Sequence, residues 1–169
     1  MADTAEVSFL RQFELLSDHC NEALGFRPYP LTSNFTKPAS GMYMTAKVVG
    51  VEYTSTSSED INVGHPDGLL QSVAYAYLTF QVEVVRGRAI ETLTSFLMSL
   101  KEPYFNHKLG EENMVYIDNT APVDTSATLS KQIIEDRVVC RVRFLCQILA
   151  ARGVPPLTIE TVGPLQGEY

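Results

Sequence analysis

Two segments alternate with period two over lengths that only an extended chain can sustain. In SVAYAYLTFQVEVV (72–85), Ala74, Ala76, Leu78, Phe80, Val82 and Val84 share one side, while Thr79, Gln81 and Glu83 share the other. In EDRVVCRVRFLCQIL (135–149), Val138, Cys140, Val142, Phe144, Cys146 and Ile148 face one way and Arg137, Arg141, Arg143 and Gln147 the other. Successive side chains of a strand point to opposite faces, so each segment is predicted to be a strand with one buried face.

The remaining elements follow from period and punctuation. Phe9, Leu10, Phe13, Leu16, Cys20 and Leu24 recur every three or four residues. Asp3 and Glu6 have capping-box spacing, Gly25 is placed to end the helix, and Pro28 and Pro30 prevent its continuation, predicting a helix over 5–24. Residues 31–41 read as a loop. MYMTAKVVGVEYTS (42–55) is rich in β-branched and aromatic residues and apolar on both alternate faces, as expected of a strand inside the sheet. With 72–85 it forms a long hairpin, joined by an oversized polar loop from Ser55 to Gly68. Loops of that size in a compact domain are usually functional or disordered, and this one is expected to be ordered by a partner.

A second helix is expected after RGR, with Ile90, Leu93, Leu97 and Leu100 at 3-4-3 spacing and Glu102-Pro103 as its stop. MVYID (114–118) reads as a short strand, TAPVDTSATLSKQ (120–132) as polar turns, and LTIETV (157–162) as a last strand. The order α-β-β-α-β-β-β predicts an α+β fold: a mainly antiparallel sheet with a long β-hairpin and two helices packed on one face. At 169 residues the chain suits one domain, spanning 1–169.

Charge and cysteine usage narrow the function. Thirteen basic against twenty acidic residues give a net charge of −7, which opposes general affinity for DNA or anionic membranes. The longest apolar run, Val73 to Leu78, is far short of the about 20 residues needed to cross a bilayer, and the acidic N-terminus does not read as a secretory signal. Three cysteines without CxxC spacing suit free thiols in a reducing compartment. A soluble protein made in the cytoplasm is the expectation.

Signatures of catalysis are sparse. GxGxxG, Walker A, GxSxG and HExxH are all missing, and His19, His65 and His107 are well separated, so no catalytic residue, cofactor or metal is assigned. His19 and Cys20 end the first helix, where a positive His19 would suit the helix dipole and Cys20 lies on the apolar stripe. Cys140 and Cys146 face the apolar side of their strand and read as buried, inert thiols. Asp118, Asp124, Glu135 and Asp136 lie at strand ends and turns, where acids serve solubility. Candidate contacts with a subunit or partner are Arg86 and Arg88 at the strand-to-helix junction, the row Arg137, Arg141 and Arg143, and Asp60 and His65 in the long loop. Arginine interleaved with aliphatics suits a half-buried surface that meets carboxylates, within the chain or across an interface.

The segment PVDTSATLSKQIIEDRVVCRVRF, following the long hairpin and helix FQVEVVRGRAIETLTSFLMSL and preceding PLTIETV, resembles the neck or tail terminator proteins of tailed phages. Pro122, Val123, Asp124, Leu129, Glu135, Arg137, Val142 and Phe144 match that arrangement, as do Ile159, Glu160 and Val162, and the likeness runs from 42 to 163. The tryptophan often found before the arginine-containing strand is absent, and GPLQGEY has no counterpart.

The resemblance implies a structural virion protein of the tail–neck junction, not an enzyme. It implies a self-assembled ring, usually hexameric, that caps the tail, touches tube or sheath and neck or connector proteins, and lets genomic DNA pass without specific binding. Alternatives are another tail-completion or baseplate component, a small soluble ligand-binding module, and a small enzyme built around Cys20 or His65.

Overall fold

The computed structural model describes residues 9–54, 59–61, 70–129 and 132–152. In chain order the elements are α1 (Leu10–Leu24), β1 (Tyr29–Pro30), β2 (Tyr43–Tyr53), β3 (Glu59–Ile61), β4 (Leu70–Val85), α2 (Ala89–Ser99), α3 (Pro103–Glu111), β5 (Met114–Asn119), β6 (Val123–Asp124), β7 (Ala127–Leu129), β8 (Gln132–Glu135) and β9 (Arg137–Arg152). The fold is α+β. The two alternating segments, β4 and β9, pair antiparallel at its centre in unbroken register from Leu70↔Arg152 to Val85↔Arg137.

The main sheet runs β1-β2-β4-β9-β5, with β3 added to β4 and β6 to β9. Every pairing in it is antiparallel except the two-residue contact of β1 with β2. The expected hairpin is β2–β4, matched from Tyr43↔Val85 to Tyr53↔Ala76. Its register slips by one residue at Val49. This bulge turns Val51 to the face of Leu78 and Gly50 to the face of Thr79, which accounts for apolar residues on both alternate faces of the segment. A second bulge, at Ile117, interrupts β5.

Ala76, Leu78, Phe80, Val82 and Val84 of β4 and the even-numbered residues Val138 to Ile148 of β9 are buried, as their period predicts. The helices cover this face. Leu16 and Cys20 of α1, Leu93, Phe96 and Leu97 of α2, Leu100 just beyond it, and Leu109 of α3 join the strands in one core. Phe80 and Phe144 meet edge to face across β4 and β9, 5.9 Å between centroids. Gly25 ends α1 in the left-handed conformation (φ 80°), and its N–H donates to the Asn21 carbonyl at 2.9 Å. The Asp3–Glu6 pair lies outside the described residues.

Four local expectations are corrected. Pro103 does not only stop a helix: it occupies the first turn of α3, where its fixed φ suits helix entry and its missing N–H costs nothing. Among the described residues three helices therefore lie on the covered face, where two were expected. Ile90 is 48% exposed, because the buried line runs through Ala89, Leu93, Phe96 and Leu100, one position away. The turn-like stretch from Thr120 contains β6 and a small β7–β8 ladder, and the loop from Ser55 contains β3, paired with Gln71–Val73. LTIETV and His65 lie outside the described residues.

Candidate interaction face

The second face of the sheet is built from the odd-numbered positions of β4 and β9. Near one end it is closed: Tyr43, Thr45 and Val85 are buried, and Phe35 from the 31–41 segment packs on Tyr43 with 6.1 Å between ring centroids. From Lys47 onward no described segment covers it. Cross-strand neighbours form successive rows there: Lys47, Gln81 and Arg141; then Gly50, Thr79, Arg143 and Asp118; then Glu52, Tyr77, Leu145 and Val115. Tyr75 follows opposite Gln147 and is 52% exposed. The face combines tyrosine and arginine, which are enriched at interfaces, with Lys47, Glu52 and Asp118, which are of types more common on ordinary surface.

The arginines singled out in the sequence divide into two groups. Arg86 is locked inside the monomer. It adopts positive φ (68°) where β4 turns toward α2, and its Nε donates to Glu135 Oε1 at 2.9 Å while Nη1 donates to the Pro38 carbonyl at 2.9 Å. Its guanidinium also lies over the Tyr43 ring. Arg137 pairs with Glu83 at 2.9 Å and with Glu135 at 3.5 Å. Arg143 binds Asp118 at 2.7 Å and covers the Tyr77 ring, but its buried Nε has no hydrogen-bond partner among the described residues.

Arg141 and Arg88 stand apart. Both are exposed, and neither forms an ion pair with a described residue. Arg141, Arg143, Thr79, Asp118, Asn119 and Thr120 border a shallow cleft of about 330 Å³ on the open face. Arg88 borders another, of about 290 Å³, with Glu91, Asp124 and Asp136 at the start of α2. The Ser126 hydroxyl and N–H both donate to Asp124, holding its carboxyl below the ordinary range. Asp60 lies on β3, opposite Ser72.

Two participants were missed in the sequence. Lys47 joins Arg141 only through the β2–β4–β9 register, two strands away. Glu135 was read as a solubility acid, yet it gathers Lys37, Arg86 and Arg137; Lys37 first, with Arg86 adding, holds its carboxyl below the ordinary range. Its place between basic residues of distant segments has no local signal.

On the helix side a cleft of about 550 Å³ lies between α1 and α3, with His19 and Phe105 among its lining. His19 is not the positive group expected. It is 5% exposed, and burial pulls its pKa from 6.5 to about 4, so near neutrality the ring is uncharged. The Ser99 hydroxyl donates to the Phe96 carbonyl at 2.7 Å, so His19 Nε2–H is the donor to Ser99 Oγ at 2.9 Å. Nδ1 is left as a buried acceptor without a partner among the described residues.

Cys20, Cys140 and Cys146 are buried and free, and burial pushes each thiol up to about 12. Among the described residues no group of three or more His, Cys, Asp or Glu is arranged to hold a metal ion, and no helix is long and apolar enough to cross a membrane. In comparisons with known proteins, no family model and no curated sequence matches the chain.

Proposed function

We propose that this chain is a structural subunit of a phage tail, one that caps the tail and joins it to the neck as part of a ring around the DNA channel. The observation that carries this reading is the half of the sheet that no described segment covers. A monomer that leaves Tyr75, Tyr77, Leu145 and Val115 on one face, with an exposed Arg141 that forms no ion pair with a described residue, presents a surface suited to another protein. The resemblance of residues 42–163 to tail terminators supplies the particular assembly. A charge of −7 per subunit suits a bore through which DNA must slide without sticking.

Electron microscopy and light scattering of the full-length protein, alone and with its tail tube, test the reading. A ring several times 18.8 kDa, seated at the tube end, is expected. A ring absent from both preparations overturns the proposal, as does a gene neighbourhood without portal and tube genes. The cleft between α1 and α3 favours a second reading, a small-ligand module. A ligand that protects Phe105 and Lys108 from exchange or labelling would favour that reading.

A further inference from the structure

The two edges of the main sheet are poorly suited to joining copies by strand addition. On one side, among the described residues, β1 covers β2 only at Thr45 and Ala46, and the rest of β2 is broken by the bulge at Val49 with Lys47 beside it. On the other side β5 is broken by the bulge at Ile117. Bulges and edge lysines are the devices by which sheets discourage edge-to-edge pairing. Self-association therefore falls to the open face.

That face has a charge in need of a partner. Lys47 and Arg141 flank Gln81 in one row, with no carboxylate of a described residue within ion-pairing distance of either. In the next row Arg143 keeps a buried Nε–H without a hydrogen-bond partner among the described residues. The opposite charge lies on the far side of the sheet. Glu91 in the first turn of α2, Asp124 on β6 and Asp136 before β9 line one notch, together with Val138, whose side chain belongs to the helix-covered face. Asp124 is fixed there by Ser126, and Arg88 offsets only part of the notch's acidity. Patches on opposite faces of one sheet cannot meet within one chain.

We propose that the acidic notch of one copy seats on the Lys47–Arg141 row of the next. The contact joins two different surfaces, so it propagates around a closed ring or along a filament and does not stop at a two-fold dimer. This rests on the ring-subunit reading and names the surfaces that would close the ring. Carboxylates on guanidinium groups form charge-assisted, directional hydrogen bonds, which gives the contact a register as well as an attraction.

The test is the mass of the full-length protein by analytical ultracentrifugation, for wild type, Arg141→Glu, Asp136→Lys and an equal mixture of the two variants. Circular dichroism verifies that each is folded, since both positions are exposed. The wild type is expected to assemble beyond a dimer and to weaken as salt rises from about 0.1 M to about 1 M, where the screening length falls from about 10 Å to about 3 Å. Each variant alone should associate at least about tenfold more weakly, one decade in the dissociation constant. The mixture should recover association, because the reversed charge on one variant then faces the reversed charge on the other and the attraction is restored. A wild type that stays monomeric or stops at a dimer overturns the contact, as do variants that assemble like the wild type or a mixture that does not recover. A ring that survives Arg141→Glu overturns the contact alone and leaves the tail reading to its own test at the tube end.

Discussion

Arg86 donates from Nε to Glu135 Oε1 at 2.9 Å across 49 residues of sequence, and this pair fastens three otherwise separate pieces of the molecule. Glu135 also binds Lys37 of the 31–41 segment and faces Arg137 at the start of β9. Its side chain is only 11% exposed, so its removal leaves three cations short of a shielded carboxylate. Glu135→Ala is expected to lower stability by about 2 kcal/mol, and Glu135→Gln by less, because the amide still accepts from Arg86. Urea denaturation reads both. Equal effects would mean that the charge does not matter here.

His19 makes folding sensitive to acid. Its pKa is about 4 folded against 6.5 ordinarily, so between these values the unfolded chain takes up a proton that the folded chain refuses. Its contribution is complete above about pH 6.5 and is lost as pH falls toward about 4, at most on the order of 3 kcal/mol. Desolvation is the main cause, with Glu22 and Lys108 acting in opposite directions. Denaturation measured across this range should show a shallower dependence for His19→Phe than for the wild type. Parallel curves would remove His19 as the responsible group.

The thiols are expected to be inert while the chain is folded. With each pushed up to about 12 by burial, almost no thiolate exists at neutral pH. A thiol reagent should label them only on unfolding, and rapid labelling of the native protein would contradict the burial. Cys140→Ala or Cys146→Ala should cost about 1 kcal/mol.

Phe144 is the most consequential core position on β9. It is fully buried and meets both Phe80 and Tyr116 edge to face. Phe144→Ala should cost about 3–5 kcal/mol through lost burial and the cavity left behind. A loss under about 1 kcal/mol in calorimetry would mean that this part of the core readily collapses around the gap.

Duplex DNA should not bind at physiological salt. The chain's net −7 leaves little gain from counterion release, despite the exposed Arg141. A mobility-shift assay reads this directly, and tight binding would oppose a bore through which DNA slides.

Much of the layered fold was legible because period reports burial locally. The faces of β4 and β9 could be named residue by residue from alternation, whereas the three-to-four spacing of α1 found the buried Leu16 and Cys20 but also counted Leu10, which is exposed, and passed over Gln12, Ser17 and His19, which are buried. Where one residue carries two meanings, the reading failed: Pro103 both ends one helix and begins another, and only packing of Leu109 against the core chose the second role. His19 was misjudged for a related reason, since its charge depends on desolvation by Phe96, Phe105 and their neighbours, which no local pattern encodes.

By itself, the sequence determined that α1 and α2 are helical, that β2, β4, β5 and β9 are extended, and which faces of β4 and β9 are apolar, because these follow from backbone geometry repeated over a few residues. Only the tertiary structure decided that β9 lies between β4 and β5, that Lys47 aligns with Arg141, and that Glu135 gathers three cations. Those relationships join residues far apart in the chain. They arise when strands choose partners and register, a choice governed by the packing of whole faces.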